Sequence, residues 1–165
     1  MQITVRSASE EDLSVLVRMY RDLEAEQTVK KPVWALTDGL DEPIIDSLRK
    51  ALAEDESWLS VGEIDGVPVG LVWATIDTML SRADGERIGR IRLIYTEPDA
   101  RGVGVGDAML EQTLTLLRSL GLKRFDAPVG PGQRLTKNFF EGHGFAARSL
   151  IMHHHDVDEG PTDDA

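Results

Sequence analysis

Arg101 to Gly106 reads RGVGVG. Three glycines alternate across six residues, immediately before an apolar helical pattern. Inside a regular element a glycine costs about 0.5–1 kcal/mol relative to alanine. Between a strand and a helix, such a loop exposes backbone N–H groups, and together with the helix dipole these bind anions. Glycine also permits φ > 0 and lets a phosphate approach the backbone without meeting a Cβ. The run is therefore either a phosphate cradle or a plain strand-to-helix corner. It is not a dinucleotide fingerprint, because G-x-G-x-x-G read from Gly104 puts Met109 in the third place. Nor does the chain contain G-x-x-x-x-G-K-[ST]. A second run, His153 to His155, invites a metal reading. Successive strand side chains point to opposite faces, so the three cannot converge on one ion, and no metal site is expected. One of them turned into a cleft would serve as acid or base near neutral pH. With no cysteine in the chain, disulfides, thiolate metal sites and a cysteine nucleophile are excluded.

The elements that must hold these residues can be read from period and punctuation. ITVRSA (Ile3 to Ala8) alternates as a strand. Ser9 then caps a helix, with Asp12 in the capping-box place and Leu13, Leu16, Val17, Tyr20 and Leu23 at helical spacing through Glu26. A long polar connection follows, and after Pro43 a helix carries Ile44, Ile45, Leu48 and Leu52 on one stripe. SWLSVGEI and VPVGLVWATIDTML are strand-like and flank Asp65-Gly66, a hairpin signal. IGRIRLIYTE is a strand closed by Pro98, and from Gly104 a helix runs to Gly121. KRFDAPV is predicted as a strand, Gln133 to Glu141 as a short helix, and FAARSLIMHHHDV as a last strand. The order is β-α-α-β-β-β-α-β-α-β. It implies an α/β (α+β) fold with a mixed, mostly antiparallel central sheet flanked by helices.

The length of 165 residues suggests one domain, residues 1–155, and the acidic segment 156–165 reads as a disordered tail. No run approaches the ~20 apolar residues needed to span a bilayer. The N-terminus lacks the cationic start and apolar stretch of a signal peptide. A cytoplasmic location and no membrane partner are expected. The net charge of −11 argues against nucleic acid, whose phosphates need clustered Lys and Arg. The charge is uneven: residues 1–66 hold 15 acids against 7 bases, whereas Arg101 to Lys137 holds 6 bases against 3 acids. An anionic ligand is best tolerated in that second stretch.

LIYTEPDARGVGVGDAMLEQTLTLLRSLG resembles the acetyl-CoA segment of the GNAT superfamily of N-acetyltransferases. The family pattern is [QR]-x-x-G-x-[GA] between a strand and a helix, with a Pro a few residues upstream. Arg101, Gly104 and Gly106 fill the fixed places, and Pro98 fits. VGEIDGVPVGLVWA is similar to the family's central antiparallel pair, and NFFEGHGFAAR to its late YEKLGF segment, with Gly144-Phe145 matching. The resemblance spans residues 3–155. It implies that the amides of Arg101, Gly102, Val103, Gly104, Val105 and Gly106 hold the CoA pyrophosphate. The main chain of Ile94, Tyr95 and Thr96 would pair with the pantetheine arm, and one N–H there would polarise the thioester carbonyl. Gln133 stands where the family has an Asn on the cofactor. Phe140 stands at the cofactor where the family has its general-acid Tyr, and it has no proton to give.

The implied reaction is direct attack of an amine on acetyl-CoA, with no metal. An alkyl ammonium of pKa about 10 must first lose a proton. Glu97, at the end of the central strand, is the first candidate base and Asp126 the second. Tyr95, His143 or water could replace the missing acid. Trp34 lies in the connection that lines the family's acceptor pocket, and nearby Asp38, Asp41 and Glu42 favour a small cationic amine. Two alternatives stay open: a protein N-terminus or lysine as acceptor, and a non-catalytic acyl-CoA-binding regulator. Family members are often dimers, so a homodimer is compatible with the resemblance.

Overall fold

The computed structural model describes residues 1–30 and 39–157. Strand β1 (Ile3–Ser7) passes through a 3₁₀ turn (Glu10–Asp12) into helix α1 (Leu13–Lys30). Asp12 fixes the junction. Its carboxylate accepts from the Ser9 N–H at 2.8 Å and from both Arg6 Nη groups at 2.8 Å. Ser9 and Asp12 thus cap the helix start as the sequence predicts. The Arg6 guanidinium lowers the Asp12 pKa to about 2.

Helix α2 (Ile44–Ala53) precedes the β2 (Ser57–Ile64) and β3 (Val67–Thr78) hairpin, which turns at Asp65-Gly66 with φ of 50° and 81°. That is the predicted two-residue turn. Strand β4 (Arg87–Thr96), helix α3 (Val105–Ser119), strand β5 (Phe125–Asp126) and helix α4 (Arg134–Gly142) complete the described elements. The sheet order is β1-β2-β3-β4-β5, antiparallel except for the last pair.

Two apolar layers sandwich this sheet. On one face α1 and α2 pack Leu16, Met19, Tyr20, Ile44 and Leu48 against Leu59, Val61, Leu71, Leu93 and Tyr95. On the other, α3 and α4 pack Met109, Leu110, Leu117 and Phe140 against Val72, Ala74 and Ile91. Ile91 and Leu93 are two apart yet serve opposite faces. The cause is a bulge: Trp73 pairs with Leu93 and Ala74 with Ile91, which leaves Arg92 as an extra residue on β4.

Two expectations need correcting. The strand expected over KRFDAPV is only Phe125–Asp126. The last strand does not form, since residues 145–157 lie outside any strand. A half-buried strand needs period-two alternation. Here Leu150, Ile151 and Met152 are consecutive and all exposed, and they are followed by three histidines. The two-residue β5 also offers almost no edge to pair with.

Candidate functional site

β4 and β5 pair only at Gly89 with Phe125 and at Arg90 with Asp126. Beyond that point they separate, and β4 from Ile91 to Thr96 has no parallel partner. The Glu97 N–H donates to Val69 O at 2.8 Å, which fixes the ladder's phase against β3. By alternation Tyr95 and Leu93 bond toward β3, whereas Thr96 and Ile94 turn their main-chain groups toward the open side. Thr96 O is taken by Arg101 Nε at 2.8 Å. The Thr96 N–H and both Ile94 groups are left facing the splay.

The loop after β4 ends in α3. Gly102 has φ +80° and Gly104, the N-cap, has φ +101°, conformations that L side chains rarely adopt. Gly106 has ordinary helical backbone, and a Cβ there would only make van der Waals contact with Phe139, 3.4 Å from Cε2. The first amides of α3 have no partner within the helix and carry its positive dipole end. Val103 is exposed and the Val105 side chain is buried, so Val105 offers the loop only its main chain.

Arg101 turns away from this loop. It grips both Glu26 oxygens at 2.8 Å and lies 5.6 Å from the Tyr95 ring centroid. Its guanidinium holds the Glu26 carboxyl below the ordinary carboxylate range. On the same side of α1, Arg18 Nη1 sits 2.6 Å from Glu97 Oε1 and 3.6 Å from Asp22 Oδ2. Glu97 Oε1 is buried without an aligned hydrogen bond. Tyr95 is buried against α1, and burial, then the Asp22 charge, push its hydroxyl pKa up.

The structure thus gathers Glu97, Tyr95, Arg101 and the glycine loop at the C-terminal end of β4. Asp126 is elsewhere: it pairs with Arg90, six residues or about 20 Å back along β4. Its carboxylate accepts from Arg148 Nε at 2.8 Å. It lines a groove of about 750 Å³ with Ile88, Leu114, Arg118 and Phe125. Gln133 is buried at the N-terminus of α4. Phe140 is buried too, its ring between Phe139 at 5.3 Å and Phe145 at 5.1 Å. His154 pairs with Asp156 at 2.8 Å on the surface. Trp34 and Asp38 lie outside the described residues.

Sequence reasoning missed Arg18, Asp22 and Glu26. Their spacing of four residues puts them on one α1 stripe, a signal present in the sequence. It missed Phe139 as well, whose aromatic neighbour drew the attention.

The chain has known relatives. An uncharacterized N-acetyltransferase of Methanocaldococcus jannaschii is 24% identical over 152 residues, 90% of this chain and 62% of that protein. A mycothiol acetyltransferase of Cellulomonas flavigena is 29% identical over 116 residues, 66% of this chain and 32% of that protein. The chain therefore spans less than two thirds of the length of either. A predicted acetyltransferase of Clostridium acetobutylicum, solved with acetyl-CoA, shares the fold with TM-score 0.70 and 16% identity, covering 93% of this chain and 96% of its own. No described helix is long and apolar enough to cross a membrane. The model of the acetyltransferase (GNAT) family matches residues 16–145, across the splayed strand, the glycine loop and α4, and the chain belongs to that family.

Proposed function

We propose that this protein transfers the acetyl group of acetyl-CoA to a primary amine of a small cationic molecule, by direct attack, in the cytoplasm. In this reading residues 1–155 form one catalytic domain and segment 156–165 lies outside it. The observation that carries it is the C-terminal half of β4, without a partner on its β5 side, opening beside the glycine loop and the α3 N-terminus. Such a cleft suits an extended thioester with a pyrophosphate at one end. The amides from Gly102 to Gly106 hold the pyrophosphate, and the Ile94 and Thr96 main chain holds the arm. Gln133, buried at the α4 N-terminus, stands where the family has an Asn on the cofactor. When bound, acetyl-CoA supplies an activated acyl group with a thiolate to leave.

The chain's own residues do the rest. The Thr96 N–H, free of β3, polarises the acyl carbonyl. Glu97 takes the proton of the acceptor ammonium, with Arg18 as the cation the acceptor must displace. Asp22 adds negative charge there and favours a cationic acceptor. Asp126 lies too far along β4 to share this work. A thiol of pKa about 8.5 leaves without much help, so a buried Phe140 costs rate without blocking the reaction. Tyr95 is a poor substitute acid, since its hydroxyl is shifted upward.

One observation favours a second reading. Phe140, buried and without a hydroxyl, fits a module that binds acyl-CoA without turnover. A single pair of measurements separates the two. Calorimetric titration with acetyl-CoA should show saturable binding, lost by at least tenfold in Gly102→Asp. A Cβ there meets nothing within 4 Å, and Asp bears the strain of positive φ better than most L residues. Thiol release should then appear with small amines. Binding without thiol release supports the regulator, and no binding at millimolar acetyl-CoA ends both readings.

A further inference from the structure

We infer that His143 and Asp107 tune the anion seat, so that protonation of His143 strengthens acyl-CoA binding. This rests on the acetyl-CoA reading. His143 follows α4, and its Nδ1 lies 2.8 Å from Phe139 O, an oxygen that only accepts. Nδ1 therefore carries a proton. Nε2 lies 3.1 Å from Asp107 Oδ1. In the neutral ring it would turn a lone pair toward a carboxylate, while in the imidazolium it turns a charged N–H. The ring also stacks on Phe139 with centroids 4.7 Å apart. Phe139 in turn lies against Gly106 of the cradle. The imidazole is thereby held beside the first turn of α3, with its side chain 19% exposed.

Asp107 is the third residue of α3, next to Gly106. With the cleft empty its charge suits the helix N-terminus. With a pyrophosphate there, the same charge repels. An imidazolium at 3.1 Å cancels it, and a neutral imidazole does not. Of the other charges on these elements, Glu111 lies one turn beyond Asp107 on α3, and several more are paired. On α4, Lys137 pairs with Glu141. In the groove that His143 also lines, Arg148 pairs with Asp126 and Arg124 with Glu86, leaving Arg118 and Lys123 as further cations. The carbonyl end of α4 favours the cation as well.

The test is calorimetric titration of the full chain with dephospho-CoA at pH 6 and pH 8. Its pyrophosphate diester stays doubly ionised across that range, so any pH response belongs to the protein. Wild type should bind about three- to tenfold more tightly at pH 6 than at pH 8, as expected for one nearby surface charge under salt screening. Asp107→Asn should bind at pH 8 as tightly as wild type does at pH 6, and more tightly still at pH 6. His143→Gln should bind at both as weakly as wild type does at pH 8. Asp107 is more than half exposed, so its variant keeps the fold even if the His143 variant does not. A flat pH response in wild type overturns the inference, as does an Asp107→Asn variant no tighter than wild type at pH 8. Absence of any dephospho-CoA or acetyl-CoA binding by wild type instead overturns the acetyl-CoA reading and this inference with it.

Discussion

Glu97 meets a cation before any acceptor arrives. On the acetyl-transfer reading, Arg18 occupies the place at 2.6 Å that the acceptor's ammonium would take, and Asp22, 3.6 Å from Arg18, would receive it. Two outcomes follow on the acetyl-transfer reading. Glu97→Gln should lower kcat by about 10²–10⁴ while leaving acetyl-CoA affinity unchanged, read as thiol release and by calorimetry. Arg18→Gln should lower KM for small amines several-fold, because the competing cation is gone. Residue types at fixed spacing made the glycine loop legible in the sequence, and the strand closed by Pro98 made the position of Glu97 at its end legible too. Which cation neutralises Glu97, and which carboxylate captures Arg101, depend on α1 lying across the end of β4. That is a tertiary fact no local pattern states. Phe140 shows the same divide: the missing hydroxyl is visible in the sequence, the burial of its ring is not.

At the scale of elements, the start of α1 is the best-specified junction. Asp12 joins three backbone and side-chain groups, and its carboxyl has a pKa of about 2 against 3.8 for a free one. A carboxyl with a depressed native pKa adds stability above its unfolded value and loses it as pH falls through its native value. Asp12→Asn should therefore destabilise by about 1–2 kcal/mol at pH 7 in urea unfolding. The difference should shrink as pH drops from about 4 to about 2. The Asp65-Gly66 hairpin, the capped helix and the long α3 were legible because caps and turns act over a few residues. The failure of a last strand was not. Its composition suits a strand, but strand formation depends on an edge to join, and β5 supplies two residues.

The whole molecule divides along the splay. Four antiparallel strands with α1, α2 and α3 make one side, and β5 with α4 makes the other, joined by a two-residue ladder and by the apolar packing of α4 against α3. Arg92 is a spare link in the chain at this divide. With it removed, Ile91 and Leu93 would be adjacent, and simple alternation would still send them to the faces they occupy now. The core does not require the extra link; the bend it imposes on β4 does. On the acetyl-transfer reading, a variant lacking Arg92 should melt within a few degrees of wild type but give a flat acetyl-CoA titration, its central strand straightened and its cleft shut. Such a chain would be a well-folded protein that has lost its trade by one residue, and it would show that the length of β4, counted residue by residue, is a functional trait separate from the identity of any side chain on it.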